Sequence, residues 1–175
     1  MIDSARVTRI MEHLFRGGGD VYAVLDAARD PRVYGAVEGS GLPHACLYDG
    51  KLPAELAEAA PHLVRLRADR PFTAKLLADG WGDSWGCFMT TSLALPELRR
   101  HLRRFLRVKN EDGKTLVFRY YDPRVLRVYL PTCTPEELKT FFGPITAMAA
   151  EAEDGVGLHV FRRAEKGLDH RRIAA

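Results

Sequence analysis

The chain has 175 residues, of which 46% are apolar and 28% charged. This length suits one compact domain and this composition is ordinary for a soluble globular protein, so a disordered or collagen-like chain is excluded. No apolar run approaches the roughly 18–20 residues of a membrane span, and residues 1–16 carry charges throughout. We therefore expect neither a membrane span nor a cleavable secretion signal.

The charge distribution limits the kinds of partner that we expect, and the cysteine content indicates the cellular compartment. The formal net charge is only +3, but residues 97–131 hold ten Lys and Arg against four Asp and Glu, a local excess of +6. This excess marks a candidate contact face, yet it is too small to imply bulk nucleic-acid binding. Cys46, Cys87 and Cys133 are odd in number and form no CxxC pair, which predicts free thiols in a reducing cytoplasm.

Apolar strands alternate with short helices in the first half of the chain. Apolar residues three and four positions apart predict a first helix over 4–16, which three glycines end. Continuous or nearly continuous apolar runs predict strands at 21–25, 44–48, 63–66 and 85–91. Proline near the first turn and a proline or glycine beyond the end predict helices at 53–59 and 71–79.

The second half carries clear helix-start signals and ends on a hairpin. A helix is predicted at 96–107, with leucines on one face and arginines on the other, and a strand at 115–121. Asp122 and Pro123 open the next helix as its N-cap and first residue, and a capping box opens another at 134–137. Residues 145–151 and 156–161 predict two strands around an Asp-Gly turn.

These elements predict an α/β chain of the mixed α+β kind. We expect a single domain over residues 1–165, in which a mixed β-sheet is flanked by helices and closed by the C-terminal β-hairpin. Residues 166–175 are predicted to be a frayed basic tail.

One motif suggests an enzyme. Residues 82–86 read Gly-Asp-Ser-Trp-Gly and match the GxSxG pattern of serine hydrolases, with Ser84 as the nucleophile. That chemistry needs the serine on a turn that leads from a strand into a helix. Here a predicted helix precedes the motif and a predicted strand follows it, so we favour a turn in which Ser84 has no catalytic role. A small serine hydrolase using Ser84 remains an alternative.

The predicted helix 96–107 supports three interpretations. Its exposed face carries five arginines, listed as Arg99, Arg100, Arg103, Arg104 and Arg107. A solvated helix face is the most common reason for such a stripe. A docking face for an acidic protein segment is the second interpretation. Phosphate contact in a nucleic-acid binder is the third, but no exposed Asn or Gln is present to read bases.

No residue pattern predicts a catalytic group, a cofactor or a metal. The six histidines form neither HExxH nor another closely spaced ligand pair. His101 is predicted to be a packed, hydrogen-bonded histidine at the edge of its helix's apolar face.

An ordered series of short motifs resembles a known family. The most specific piece runs from Phe118 to Leu126 and combines a strand, two tyrosines, an Asp-Pro cap and a helix. The other pieces are residues 25–26, 47–48, 61–64, 84–86, 101–103 and 141–145. Together they span about residues 22–161 and resemble the type VI secretion effector-chaperone (adaptor) family, first catalogued as a domain of unknown function.

The resemblance implies a role in binding and no enzyme activity. Members of that family bind a cognate toxic effector in the bacterial cytoplasm and help to load it onto the VgrG-type spike protein. Many members carry a further helical region after this domain, whereas about thirty residues follow Ile145 here. The expected partners are therefore an effector and a spike protein, with no nucleic acid. A nucleic-acid binder using helix 96–107 is the remaining alternative.

Candidate residues fall into two groups. Those predicted to contact a partner are Arg100, Arg103, Arg104, Arg107, Arg119, Tyr121 and Arg124. Those predicted to serve the fold within the family motifs are Asp26, Tyr48, Trp85, Gly86, His101, Asp122, Pro123, Gly143 and Pro144. For Arg119 a structural ion pair with Asp26 or Asp122 is the favoured interpretation, since its neighbours on the strand are apolar.

Overall fold

The computed structural model describes residues 2–174 and places two layers of helices around one sheet. The helices are α1 Ser4–Phe15, α2 Arg32–Glu38, α3 Ala54–Glu58, α4 Pro71–Gly80, α5 Leu95–Arg103, α6 Pro123–Thr132 and α7 Pro135–Phe142. The strands are β1 Asp20–Asp26, β2 His44–Cys46, β3 Pro61–Leu66, β4 Gly86–Thr91, β5 Arg107–Lys109, β6 Thr115–Val117, β7 Ile145–Glu151, β8 Gly157–Ala164 and β9 Gly167–Ala174. The α+β class is confirmed.

Seven strands form the main sheet in the order β2-β3-β1-β4-β7-β8-β9, while β5 and β6 form a separate hairpin. The crossovers explain the strand directions. Both β3 and β4 pair antiparallel with β1, so β3 and β4 run the same way with β1 between them. Likewise β1 and β2 run the same way with β3 between them. The strand pairs joined by α2 (β1 and β2) and by α4 (β3 and β4) are therefore parallel but separated by another strand, and each neighbouring pair in the sheet is antiparallel.

The central strand β1 is buried on both faces, which its continuous apolar run predicted. Val21, Ala23 and Leu25 pack with apolar residues of α1, α2 and α4. Tyr22 and Val24 face the opposite layer, where they pack with α5, α6 and α7. Alternation of side chains along one strand thus joins two separate hydrophobic cores into one three-layer structure.

Two predicted elements are shorter than expected. The arginine-bearing helix α5 ends at Arg103 and not at 107, because Leu106 turns into the core and the Tyr120 hydroxyl donates to the Leu102 carbonyl at 3.1 Å. The predicted strand 115–121 ends at Val117, because the Asp122 N–H bonds the Arg119 carbonyl in a turn at 3.0 Å. Arg107 accordingly lies in β5.

The C-terminal residues correct another expectation. The predicted hairpin over 145–161 is present as β7 and β8, paired from Met148–Phe161 to Glu151–Leu158. Residues 167–174 are not a frayed tail, because β9 pairs with β8 along its whole length. Leu168 and Ile173 explain this order, since they pack against the two different cores. Ala175 lies outside the described residues.

Gly86 lies where the main chains of β1 and β4 leave no room for a side chain. It pairs with Leu25 across β1 and β4, and a Cβ at position 86 would overlap the carbonyl oxygen of Val24. We predict that Gly86→Ala destabilises the fold by about 3 kcal/mol or more, because neither backbone can yield without breaking the ladder. Urea denaturation followed by far-UV circular dichroism measures this change.

Gly35→Ala is the matched control for Gly86→Ala. Gly35 lies in α2, and apart from its chain neighbours and the adjacent backbone of its own helix, no atom of the described residues lies within 4 Å of the position that its Cβ would take. This replacement should leave stability unchanged or raise it by up to about 1 kcal/mol. Equal loss in both variants would contradict the packing argument.

Candidate partner-binding surface

A groove of about 620 Å³ opens where the loop after β2 meets the end of α5 and the β5–β6 hairpin. We call it the hairpin groove, and its lining residues are Leu47, Tyr48, Asp49, Leu52, Leu56, Arg103, Leu106, Arg107 and Val117. Leu47 and Leu106 belong to the buried core, so the groove has an apolar floor continuous with the protein interior.

Two large apolar side chains are exposed in this groove, and two more are exposed on the other face of its hairpin. Within residues 2–174 six large hydrophobic residues are exposed, and four of them lie in the groove or on its hairpin: Leu56, Val108, Leu116 and Val117. Leu56 and Val117 line the groove, whereas Val108 and Leu116 form the next pair along the ladder, so their side chains point to the opposite face of the hairpin. Val117 is the most exposed of these four, at 59%. Clustered apolar residues on a surface are typical of binding sites, whereas single scattered ones are ordinary.

The hairpin itself has little support from the rest of the fold. All six residues of β5 and β6 are exposed. The chain joins the core directly after β6, at Phe118, whose N–H donates to the Leu106 carbonyl at 2.9 Å and whose ring packs against Tyr129. The Asn110–Gly113 turn closes it. An isolated two-stranded hairpin is marginally stable in water, so contact with a partner would stabilise this one.

The arginines predicted from the helix 96–107 divide into two sets. Arg99 donates to the carbonyls of Cys46 and Tyr48 at 2.7 and 2.9 Å, and Arg103 pairs with Asp49 at 2.6 Å. These two fix the loop that forms one wall of the groove. Arg100, Arg104 and Arg107 are exposed, and none of them has a carboxylate within 4.0 Å in the described part of the chain. The second set is available to a partner.

Arg119, Tyr121 and Arg124 lie at a second place, the end of β1. Arg119 pairs with the buried carboxylate of Asp26, which confirms the predicted structural ion pair. Tyr121 is only 2% exposed, so it offers no surface to a partner in this structure, contrary to its candidate role. Burial raises the pKa of Tyr121, and Asp26 and Tyr48 raise it further. Tyr48 thereby connects this cluster to the hairpin groove that it lines.

Asp122 is the N-cap of α6, as predicted. Its carboxylate accepts from the Arg124 N–H at 2.9 Å and pairs with the Arg124 guanidinium at 2.6 Å. Burial alone would raise the pKa of Asp122, but the hydrogen bonds from Arg124 outweigh burial and lower it. Pro123 follows at the first helical position. Arg124 is exposed above this cap and remains accessible.

The other family-motif residues have structural explanations. Gly143 ends α7 with a φ of +50°, and a Cβ there would lie 2.6 Å from the His101 ring. His101 bonds the Phe141 carbonyl at 2.8 Å, and burial lowers its pKa, which agrees with the packed histidine predicted. The Pro144 carbonyl accepts from Thr91 Oγ1 at 3.0 Å. Trp85 is buried, with the Arg32 guanidinium 5.0 Å above its ring.

Ser84 lies in a turn held by a buried carboxylate. Glu151, the last residue of β7, accepts from the Gly82 and Ser84 N–H groups at 2.7 and 2.9 Å and from the Ser84 hydroxyl at 3.2 Å. Burial raises the pKa of Glu151 even though these hydrogen bonds oppose the rise. Helix α4 precedes the motif and β4 follows it, the order that the sequence indicated.

Sequence reasoning missed the groove because it extended α5 through Arg107. The run from Val108 to Val117 contained the missing signal, since apolar residues flank an Asn-Glu-Asp-Gly segment that favours a hairpin turn. Arg103 and Arg107 were identified as contact residues, and both line the groove. Leu52, Leu56 and Val117 were not identified.

Two further properties bear on function. No helix in residues 2–174 is long and apolar enough to cross a membrane. The same residues contain no group of three or more His, Cys, Asp or Glu side chains placed to hold a metal ion. All three cysteines are free, and Cys87 is fully buried.

Fold and surface together describe an α+β domain with a groove that has an apolar floor and is lined by one arginine paired with Asp49, Arg103, and one without a carboxylate partner in the described part of the chain, Arg107. Residues 21–140 match the family described as "Domain of unknown function (DUF4123)", and the chain belongs to this family. No curated protein and no solved structure matches the chain. The matched segment contains the hairpin groove and the Asp26–Arg119 and Asp122–Arg124 pairs, and it ends before β7.

Replacement of Asp122 distinguishes a structural role of this residue from a role in partner binding. We predict that Asp122→Ala lowers the free energy of unfolding by about 0.5–2 kcal/mol, because the first turn of α6 loses its cap. Partner binding should persist under conditions where the variant is folded. Urea midpoints and binding isotherms are measured on the same preparations.

Asp3→Ala is the control for this change. Asp3 caps α1 through the Arg6 N–H at 2.8 Å and is exposed. It should lose a similar or smaller amount of stability. Loss of partner binding by Asp122→Ala with an unchanged urea midpoint would show that Asp122 belongs to the interface.

Proposed function

We propose that this protein is a non-enzymatic adaptor of the bacterial cytoplasm that binds a type VI secretion effector and helps to load it onto the VgrG-type spike protein. The observation that carries the proposal is the hairpin groove with its exposed apolar edge, which lies inside the segment that matches the family. Such a surface suits a protein partner better than a small polar substrate.

Apolar contact would supply most of the affinity. The groove floor of Leu47 and Leu106 is already desolvated, and Leu56 and Val117 stand at its edge. A partner side chain that enters the groove removes this apolar surface from water, at roughly 25 cal/mol for each Å². Anchors of this kind, in the centre of an interface, dominate binding energies.

The unpaired arginines would guide encounter. Arg107 lines the groove, and Arg100 and Arg104 are exposed on and directly after α5. Exposed charges at the rim of an interface mainly change the association rate and its salt dependence. They favour an effector segment with acidic residues next to its apolar anchor.

The arrangement around Ser84 supports a role without turnover. Its hydroxyl and its N–H are both engaged by the Glu151 carboxylate, and the order of helix and strand around the motif is the reverse of a nucleophile elbow. Binding and delivery of a protein require no activated nucleophile and no cofactor.

The groove makes a direct prediction about the effector complex. We expect a stable complex with the effector encoded beside this protein's gene, which survives size-exclusion chromatography at moderate salt. Val117→Asp should weaken this complex about tenfold or more, because it places a charge where apolar surface must be buried. Isothermal titration or biolayer interferometry measures the loss.

Val128→Asp is the matched control, since Val128 is an exposed valine of α6 outside the groove lining. It should bind the effector as the unchanged protein does. Charge reversal of Arg100, Arg104 and Arg107 to Glu should slow association more than it speeds dissociation. Tight binding to DNA or RNA with a steep salt dependence, and no effector complex, would overturn the adaptor proposal in favour of a nucleic-acid binder.

A separate prediction concerns Ser84. We expect no labelling of Ser84 by a fluorophosphonate probe, and we expect Ser84→Ala to retain effector binding. The hydroxyl contributes one hydrogen bond to Glu151, so its removal should cost about 0.5–1.5 kcal/mol of stability. Labelling of the unchanged protein that disappears in Ser84→Ala would identify a serine hydrolase.

A further inference from the structure

We propose that β9 is a docking edge, to which an extended acidic segment of a partner protein adds as an eighth strand of the sheet. β9 is the last strand in the sheet order, and among residues 2–174 it pairs with β8 alone. It runs for eight residues without a register shift, which is long enough to template another strand. The proposal concerns a surface remote in sequence from the family match and does not depend on the adaptor role.

The free side of β9 offers main-chain hydrogen-bonding groups. Residues 165–166 form a two-residue turn, so Ala164 and Gly167 are a hydrogen-bonded pair of the β8–β9 ladder. Alternation along the ladder then directs the N–H and C=O groups of Leu168, His170 and Arg172 away from β8. Within residues 2–174 no other group hydrogen-bonds to the main chain of β9.

The opposite edge of the sheet differs. β2 has only three residues, and Arg99 donates to the carbonyls of Cys46 and Tyr48 beside it. Short strands and covered main-chain groups are the usual protection of a sheet edge. β9 has neither of these protections, and its charged side chains, a third kind of protection, discourage only a strand that lacks complementary charge, so the two edges of this sheet are not equivalent.

Charge selects the occupant of the β9 edge. Residues 162–174 contain five Lys and Arg and two Asp and Glu, a net charge of +3. Arg162 and Arg163 have no carboxylate within 4.0 Å in the described part of the chain. Arg171 pairs with Asp169, and Arg172 with Asp154, in exposed pairs that contribute about 0–1 kcal/mol each and are easily exchanged.

These arginines lie on both faces of the sheet beside the edge. Arg171 is opposite Val160, whose side chain packs in the first core, and Arg172 is opposite His159 on the other face. Acidic side chains on either face of an added strand would therefore meet an arginine across the new pair. A second copy of β9 is disfavoured, because it would bring two edges of +3 together.

Peptide binding tests the proposal with the full-length chain. The probe is a synthetic peptide of about ten residues in which Glu alternates with Thr, a length that covers β9. Its two counterparts replace every Glu by Lys, or replace one central Thr by Pro. At low salt we expect the Glu peptide to bind about tenfold more tightly than the Lys peptide. The Pro peptide should bind about tenfold more weakly than the Glu peptide, because Pro has no N–H to donate.

Hydrogen–deuterium exchange locates the bound peptide. We expect new amide protection at Leu168, His170 and Arg172, while the amides already bonded to β8 change less. The paired variant Arg171→Glu/Arg172→Glu should lose the preference for the Glu peptide. The control Arg9→Glu/Arg16→Glu changes two exposed arginines of and after α1, and it should keep that preference.

Three results would overturn the proposal. Equal binding of the Glu and Lys peptides would remove the charge argument. Protection at α5 in place of β9 would assign the peptide to the arginines of the hairpin groove. A dimer whose β9 amides are protected before peptide is added would identify a second copy of the chain as the occupant.

Discussion

The whole structure depends on a strand that is buried on both faces and must therefore have its polar ends neutralised. β1 begins at Asp20 and ends at Asp26, and each carboxylate pairs with an arginine, Arg65 and Arg119 respectively. Both hydrophobic cores pack against this strand. A buried carboxylate without a partner is costly in free energy, so the fold must place the Arg119 guanidinium beside Asp26.

The same requirement recurs at neighbouring positions of this end of the sheet. Asp122 and Glu151 are buried carboxylates that accept main-chain N–H groups of a helix start and of the Gly82–Ser84 turn. Arg127 donates to the Glu151 carbonyl at 2.6 Å and so connects α6 to β7. The main-chain groups of a helix start, of a turn and of a strand end thereby all have hydrogen-bond partners in this region. Several conspicuous motifs of this sequence therefore contribute to the fold, and the turn of the GxSxG match does so through its hydrogen bonds to Glu151.

The sequence predicted elements best where a local signal decided them. The apolar run of β1, the Asp-Pro start of α6 and the capping box of α7 required no tertiary information, and all three are confirmed. The end of α5 could not be predicted in this way. It depends on Tyr120, eighteen positions beyond Leu102, whose hydroxyl satisfies a last-turn carbonyl. Long-range hydrogen bonds of this kind leave no periodic pattern in the chain.

The β9 strand shows a second limit of sequence reasoning. The arginines of this segment predicted a solvated tail. The two apolar residues that pack on the two cores, Leu168 and Ile173, are too few to produce a strand pattern in so polar a segment. An edge strand needs few apolar residues, since β8 alone supplies its hydrogen bonds. Basic composition and ordered structure are therefore compatible here, which composition alone could not reveal.

The sequence predicted two of the charged residues of the candidate site, but it did not predict the groove that they line. Arg103 and Arg107 were found because charge is visible in a sequence, whereas a groove arises only when the loop after β2, the end of α5 and the hairpin meet. Arg99 and Arg103 also show that one arginine stripe can have two roles. Arg99 and Arg103 bind the loop after β2 through hydrogen bonds and an ion pair. The others, Arg100, Arg104 and Arg107, are exposed to solvent.

The residues that fix the fold and the surfaces proposed to bind partners consequently lie in different parts of the molecule. The motif residues Gly86 and Asp122 are buried, Gly143 is exposed at the end of α7, and all three fix the positions of strands and helices. The β5–β6 hairpin and the outer side of β9 make few contacts with the cores and expose their main chain or their apolar side chains. Elements with few buried contacts can change sequence or conformation without loss of the fold.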